Sequence, residues 1–305
     1  MIRKPFSQQL SATLLTLAWA VPWLACSPAV QAEDDASVAH ILFASQQNRR
    51  DEIYRMRVDG SGIVQITNHP AKDSHPVASP DGRSIAFCSE RVGWWKVWRM
   101  DPDGSNVRQL TDSSRADYYP TWSPDGSEIV FASGRAGSTH LFKMKADGSG
   151  VVALTQGATN NNFPAWSPDG QWIAFASDRG GAWNLYVMKP DGSGVRQITS
   201  GPGDKLEPSW FPDSQRLAFQ AERDGSFDLA VVSMDTIAAR PVTWLTTGDT
   251  DDKRPAVSPD GAWIVFESDR HKPSHIYRIK SDGSDLRRLT QAGYNYGPSW
   301  IPAGR

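Results

Sequence analysis

The chain is 305 residues long, 39 % hydrophobic and 22 % charged, with 32 Lys and Arg against 34 Asp and Glu and a formal net charge of −2. These proportions suit a globular protein, and without a basic surplus no nucleic-acid partner is expected. Two cysteines leave no disulfide framework or zinc cluster to build on.

The first 32 residues differ from all that follow. Arg3 and Lys4 precede an apolar stretch from Leu10 to Ala25, followed by Val30-Gln31-Ala32 and the acidic Glu33-Asp34-Asp35. This predicts a secretory signal peptide cleaved after Ala32. Lipid attachment at Cys26 is the alternative, although Trp23 stands where lipoprotein signals carry an aliphatic residue. The apolar stretch is short and contains Pro22, so no transmembrane segment is expected in the mature chain. Residues 33–39 read as a linker, and residues 40–305 as one repeat-built domain.

The repeat announces itself in the phrase Ser-Pro-Asp-Gly, which begins at Ser79, Ser123, Ser167 and Ser258, with degraded copies at Phe211 and Ile301. The intervals are 44, 44, 44, 47 and 43 residues. A period of 20–50 residues signals a solenoid, propeller or array. Each unit contains four short apolar runs rich in Ile, Val, Phe, Tyr and Trp, separated by Gly, Pro, Asp and Ser, which is a strand signature. In the third complete unit they are Pro164-Ala165-Trp166 (strand a), Trp172 to Ser177 (b), Leu185 to Met188 (c) and Arg196 to Thr199 (d). The Pro and Gly in every unit rule out helical repeats. An all-β, six-bladed β-propeller with four antiparallel strands per blade follows. The chain enters on a b strand at Ile41–Ala44 and ends on an a strand at Pro298–Ile301, so the C-terminal strand is expected to complete the N-terminal blade. Closure of this kind removes exposed sheet edges. Cys88 takes the b-strand place held by Ala132 and Ala176, and reads as a buried small residue.

The repeats align themselves, so fold-bearing positions can be separated from variable ones. The Pro-Asp-Gly and Asp-Gly-Ser turns at one end of the ring follow from turn geometry, since Asp bonds its own backbone and Gly accepts positive φ. At the other end an Arg recurs in the b–c turn (Arg91, Arg135, Arg179, Arg223, Arg270), with Gln47 in the sixth blade; an inter-blade hydrogen-bond network is expected of it. Trp122, Trp166, Trp210 and Trp300 repeat at one a-strand position and predict packing between blades. The d–a connections disagree most, and should rim the mouth of the central channel. They nominate His75; Asp117, Tyr118 and Tyr119; Asn161, Asn162 and Phe163; Lys205 and Glu207; Asp252, Lys253 and Arg254; and Tyr294 with Tyr296. Aromatic anchors in a polar surround are the composition of a protein-binding hot spot.

No Gly-x-Ser-x-Gly occurs, the six histidines are scattered over several blades, and neither a catalytic residue, a metal ligand nor a cofactor site is predicted. The run Ser-Pro-Asp-Gly-x-x-Ile-Ala-Phe-x-Ser-Asp-Arg, followed by Leu-Tyr-x-Met, Asp-Gly-Ser and a final Thr, resembles the repeat of the TolB-like six-bladed propellers from Ile41 to the end. The resemblance implies a monomeric periplasmic scaffold of the cell envelope that binds a protein, such as a peptidoglycan-associated lipoprotein. TolB itself carries a separate N-terminal α/β domain for inner-membrane components; here only a few residues separate Ala32 from the first strand, which removes the expectation of that coupling. Some propellers of related repeat type cleave acidic polysaccharides. A metal-assisted polyuronate lyase, or a carbohydrate-binding propeller, with His75, Arg115, Lys205, Lys253 and Arg254 converging on the mouth, is therefore the alternative.

Overall fold

The computed structural model describes residues 39–47, 50–234 and 242–303. The signal peptide, its cleavage site and Cys26 lie outside the described residues. Six four-stranded antiparallel sheets form the blades. Blade 1 is assembled from both chain ends: Tyr294–Ile301 (a), His40–Gln47 (b), Arg50–Arg57 (c) and Val64–Gln65 (d). The pairing runs from His40 opposite Ile301 to Gln46 opposite Tyr294, which is the predicted ring closure. Blade 2 is continuous, with strands Asp73–Ala78, Ile85–Ser89, Lys96–Met100 and Arg108–Gln109. Blades 3 to 6 repeat it, their a strands being Asp117–Trp122, Asn161–Trp166, Lys205–Trp210 and Asp252–Val257.

The core is the stack of b strands. Phe43, Phe87, Phe131, Phe175, Phe219 and Phe266 occupy one place in the six blades, and all are buried. Each contributes about 2 kcal/mol by leaving water. A c-strand aromatic stacks beside four of them, as in Phe175 on Tyr186 at 5.9 Å. The d strands shrink to two residues because a threonine hydroxyl then replaces the ladder; Thr111 Oγ1 accepts the Val97 amide at 3.0 Å.

The turn phrase works as predicted. Ser79 Oγ donates to Asp81 Oδ1 at 2.6 Å, the Arg83 amide donates to the same oxygen, and Gly82 has φ +68°. Gly104 carries a second constraint, since a Cβ there would lie 2.2 Å from the Ile66 carbonyl of the preceding blade. Trp122, Trp210 and Trp300 hydrogen-bond across blades, donating Nε1–H to the Val77, Ala165 and Ala256 carbonyls of the preceding blade. Trp166 bonds Gly170 within its own blade but packs across the same seam, with Lys143 Nζ of blade 3 lying 6.0 Å from its ring.

One expectation needs correction. The residues read as d–a connections belong largely to the innermost strand, which starts at Asp73, Asp117, Asn161, Lys205, Asp252 and Tyr294. The strand continues through proline because it forms the inner edge of its sheet, where a missing N–H costs no ladder bond. Each a strand bulges just before that proline, as the register jump between Ser74 and Val77 shows.

Candidate binding site in the central channel

The bulge is the device that builds the site. His75, Tyr119, Phe163, Glu207, Arg254 and Gly297, each followed by Pro, take φ of +50 to +59°. For five non-glycine residues this left-handed conformation is costly, by about 1 kcal/mol or more each. The six residues and their prolines line one cavity of about 150 Å³ on the ring axis.

The lining divides into two arcs. His75, Tyr119 and Phe163 form an aromatic arc, with ring centroids 4.6 Å apart for the first pair and 4.5 Å for the second. Tyr118 lies 5.9 Å from Tyr119 and 6.5 Å from Trp95, carrying aromatic surface outward to the b–c turn of blade 2. Opposite lies an ionic arc. Arg254 Nη1 donates to both Glu267 oxygens at 2.8 and 2.9 Å, while its Nε lies 3.3 Å from Glu207 Oε1. Its guanidinium carbon sits 5.7 Å from the Tyr296 ring, and Tyr296 lies 5.5 Å from Tyr294.

Burial opposes the charge of Arg254, but Glu207 and Glu267 outweigh it and hold the guanidinium firmly protonated. Glu207 is pushed up to about 7 by burial, which Arg254 only partly offsets. Burial, aided by the charge of Arg254, drops His75 to about 3, so its ring is neutral. Burial also raises the Tyr119 and Tyr296 hydroxyls.

Four nominated residues stand behind the channel instead of in it. Asp117, Asn161 and Asp252 are buried and receive the recurrent b–c arginines of their own blades, Arg135, Arg179 and Arg270, at 2.6–3.0 Å. Arg91 does the same with Asp73. The guanidinium also lies over the b–c aromatic pair, as Arg179 does over Phe175 and Tyr186. The arginine bonds therefore clamp within a blade; the links between blades run through strand c, where Lys96 reaches Asp117 at 3.8 Å and His140 lies 3.4 Å from Asn161. In blade 5 the charges exchange places. Lys205 replaces the acid and donates to the carbonyls of Gly201, Pro202 and Gly203, while Arg223 turns to Asp228 on strand c at 2.8 Å. The side chain of Gln47 lies outside the described residues.

Asn162 and Lys253 flank the lining. Asn162 Oδ1 accepts the Phe163 amide, and Lys253 donates to Asp251 at 2.6 Å. Of the five residues of the polysaccharide reading, His75 and Arg254 share the cavity with Lys253 at its flank, but Lys205 is tied to backbone, Arg254 to two carboxylates, and Arg115 is exposed on its loop.

Sequence reasoning missed Glu267, Gln220 and Gly297. The b-strand place before Ser or Ala holds Ala44, Cys88, Ala132 and Ala176 in four blades, but Gln220 and Glu267 in blades 5 and 6. Gln220 Oε1 accepts the Arg254 amide and Glu267 Oε2 accepts the Gly297 amide, each at 3.0 Å. That break in the repeat was a usable signal.

A closed six-bladed ring with a side-chain-lined axial cavity defines a β-propeller. The sequence matches the TolB beta propeller domain over residues 25–163, 158–250 and 203–305, and the chain belongs to that family. An uncharacterised protein of Agrobacterium fabrum is 40 % identical over 60 residues, a match spanning 20 % of either chain. Among solved structures, TolB from Acinetobacter baumannii superposes with TM-score 0.75 at 20 % identity, covering 88 % of this chain and 67 % of that one. Oligogalacturonate lyase from Vibrio parahaemolyticus reaches TM-score 0.56 at 15 % identity, over 82 % and 74 % of the two chains. At these identities both show a shared fold.

Proposed function

We propose that this protein is an exported, periplasmic, non-catalytic scaffold that captures a protein partner at the channel, the partner being a peptidoglycan-associated lipoprotein or another envelope protein. One observation carries the reading. Six matching backbone bulges hold six different residues, the five with side chains in a costly conformation. A fold that needed only a lining would repeat one residue, as it does with phenylalanine on strand b. The surface running from Phe163 through Tyr119 and Tyr118 to Trp95 supplies the rigid aromatic anchors on which protein interfaces depend. Family membership supports the envelope location, and no helix among the described residues is long and apolar enough to cross a membrane.

A photocrosslinker at Trp95, beside Tyr118, activated in living cells, should capture a discrete protein species. The triple variant Tyr118→Ala, Tyr119→Ala, Phe163→Ala should lose that capture while keeping a cooperative melt. Recovery of glycan alone, or undiminished capture by the triple variant, would refute the assignment.

A further inference from the structure

The ionic arc sets two carboxylates against one guanidinium. Arg254 Nη1 bonds both Glu267 oxygens, while Nε lies 3.3 Å from Glu207 Oε1 without a hydrogen bond. With Glu207 ionised, this leaves one negative charge in excess. The other nearby cations do not cancel it, because Lys253 is held by Asp251 and Lys205 by three backbone carbonyls. Glu207 pairs with Arg254, and 13 % of its side chain stays exposed.

His75 supplies a second, independent sign. Its Nδ1 lies 2.8 Å from Ser74 Oγ, and its Nε2 is buried in the same lining without any hydrogen-bond partner. In the tautomer that donates Nδ1–H to Ser74 Oγ, the neutral imidazole leaves Nε2 as a bare acceptor. Between these acceptors stand the rings of Tyr119 and Phe163. At the sixth position Gly297 leaves a notch, where an added Cβ would meet nothing within 4 Å. A carboxylate, a bare nitrogen and aromatic faces around a small cavity select a compact cation that donates in several directions.

We infer that the channel receives an ammonium group, the tip of a lysine side chain presented by the partner protein, seated against Glu207 and beside Phe163 and Tyr119. The inference rests on the channel being the docking site proposed above, and it names the chemistry docked there. It also accounts for a carboxylate left so poorly compensated that it holds its proton up to about 7: the partner's cation supplies the missing charge and displaces that proton.

The probe is n-butylammonium, titrated into the full chain by calorimetry or NMR, with n-butanol and butyrate as the neutral and anionic controls. Butylammonium should bind at least tenfold more tightly than either control. Its affinity should rise roughly tenfold between pH 6 and pH 8 as Glu207 ionises. Glu207→Gln should weaken it about tenfold, and Phe163→Leu, which keeps an apolar side chain but removes the π face, about threefold. Equal binding of butanol, preference for butyrate, or an unchanged affinity in Glu207→Gln would overturn the inference. Should Glu207→Gln misfold, the wild-type pH profile and Phe163→Leu decide alone. Partner capture separates the two claims. Loss of capture in the aromatic triple variant but not in Glu207→Gln would sink the ammonium and leave the docking site standing. Capture indifferent to every channel variant would remove the docking site itself.

Discussion

The a–b turn and the pre-proline bulge make an instructive pair. The turn recurs in the five blades whose a and b strands are joined, the bulge in all six, and both force residues to positive φ. At the turn, four blades keep the same four residues, and the fifth substitutes Ser214 for glycine at φ +54°. At the bulge the backbone is just as constant, yet the side chains run from glycine through aromatics to a paired Glu and Arg. The turn residues hydrogen-bond one another, so their chemistry is the geometry. The bulge side chains leave the backbone and meet in the lumen, where the fold imposes nothing on their identity. Constant geometry with varied chemistry marks surface kept for recognition.

The harshest way to break this comparison is to open the ring. Deleting residues 294–305 removes the whole a strand of blade 1, the Trp300 bond to blade 6 and the Ser299 bond to Pro76 of blade 2. The truncated chain should lose its cooperative unfolding transition in calorimetry. Retention of the native melt would mean that closure contributes little.

Next come the buried clamps. Asp117→Ala leaves Arg135 and Lys96 facing an empty site and should cost about 3 kcal/mol in denaturant unfolding. Asp117→Asn should cost only about 1 kcal/mol, because Asn161 performs the same task for Arg179 in blade 4. Asp81→Ala, at the exposed turn, loses two local bonds and should cost about 1 kcal/mol. If the turn variant proved the more damaging, the division between buried clamps and local turns would be wrong.

Legibility in the sequence followed the same division. Ser79, Asp81 and Gly82 act through neighbours in the chain, so a repeated phrase exposed both the period and the turn. The closing strand was legible too, because the terminal a strand at Pro298 and the initial b strand at Ile41 are each incomplete alone. The inner strand was misread because Asp73, His75 and Pro76 are the residues of a loop; only the sheet-edge position of strand a makes them a strand. Asp117, Asn161, Lys205 and Asp252 were placed at the mouth because alternation across a bulge cannot be counted without knowing where the extra residue falls. Glu267 went unnoticed on a strand that otherwise reads as core. Its meaning depends on Gly297, thirty residues away and in the next blade.

The two arcs of the channel should respond oppositely to pH. The folded protein refuses the His75 proton down to about 3, whereas the unfolded chain takes it near 6.5. Stability from this group is therefore present above 6.5 and drains as pH falls. Glu207 is protonated in the folded state up to about 7 but in the unfolded chain only near 4.5. Its contribution is full below 4.5 and fades as pH rises through 7. In a series of urea midpoints, Glu207→Gln should gain on wild type between pH 5 and 8, and His75→Gln between pH 6.5 and 4. Parallel curves for either variant would contradict the electrostatic account of its arc.

The smallest effect on stability is expected at Trp94, and it tests how far the recognition surface extends. Trp94 is 54 % exposed at the tip of the blade 2 b–c turn, beside Val92 at 49 %. The corresponding places in blades 3, 4 and 5 hold Ser138, Ala182 and Ser226, so the turn itself needs no large side chain. Trp94→Ser should leave the melting temperature within about 1 °C of wild type, since little apolar burial is lost. It adjoins Trp95, which continues through Tyr118 into the aromatic arc. A tryptophan that the fold does not use, continuous with the lining, should matter only to a partner broad enough to cover both. Partner capture should therefore weaken by about threefold to tenfold in Trp94→Ser, and an unchanged capture would confine the interface to the channel.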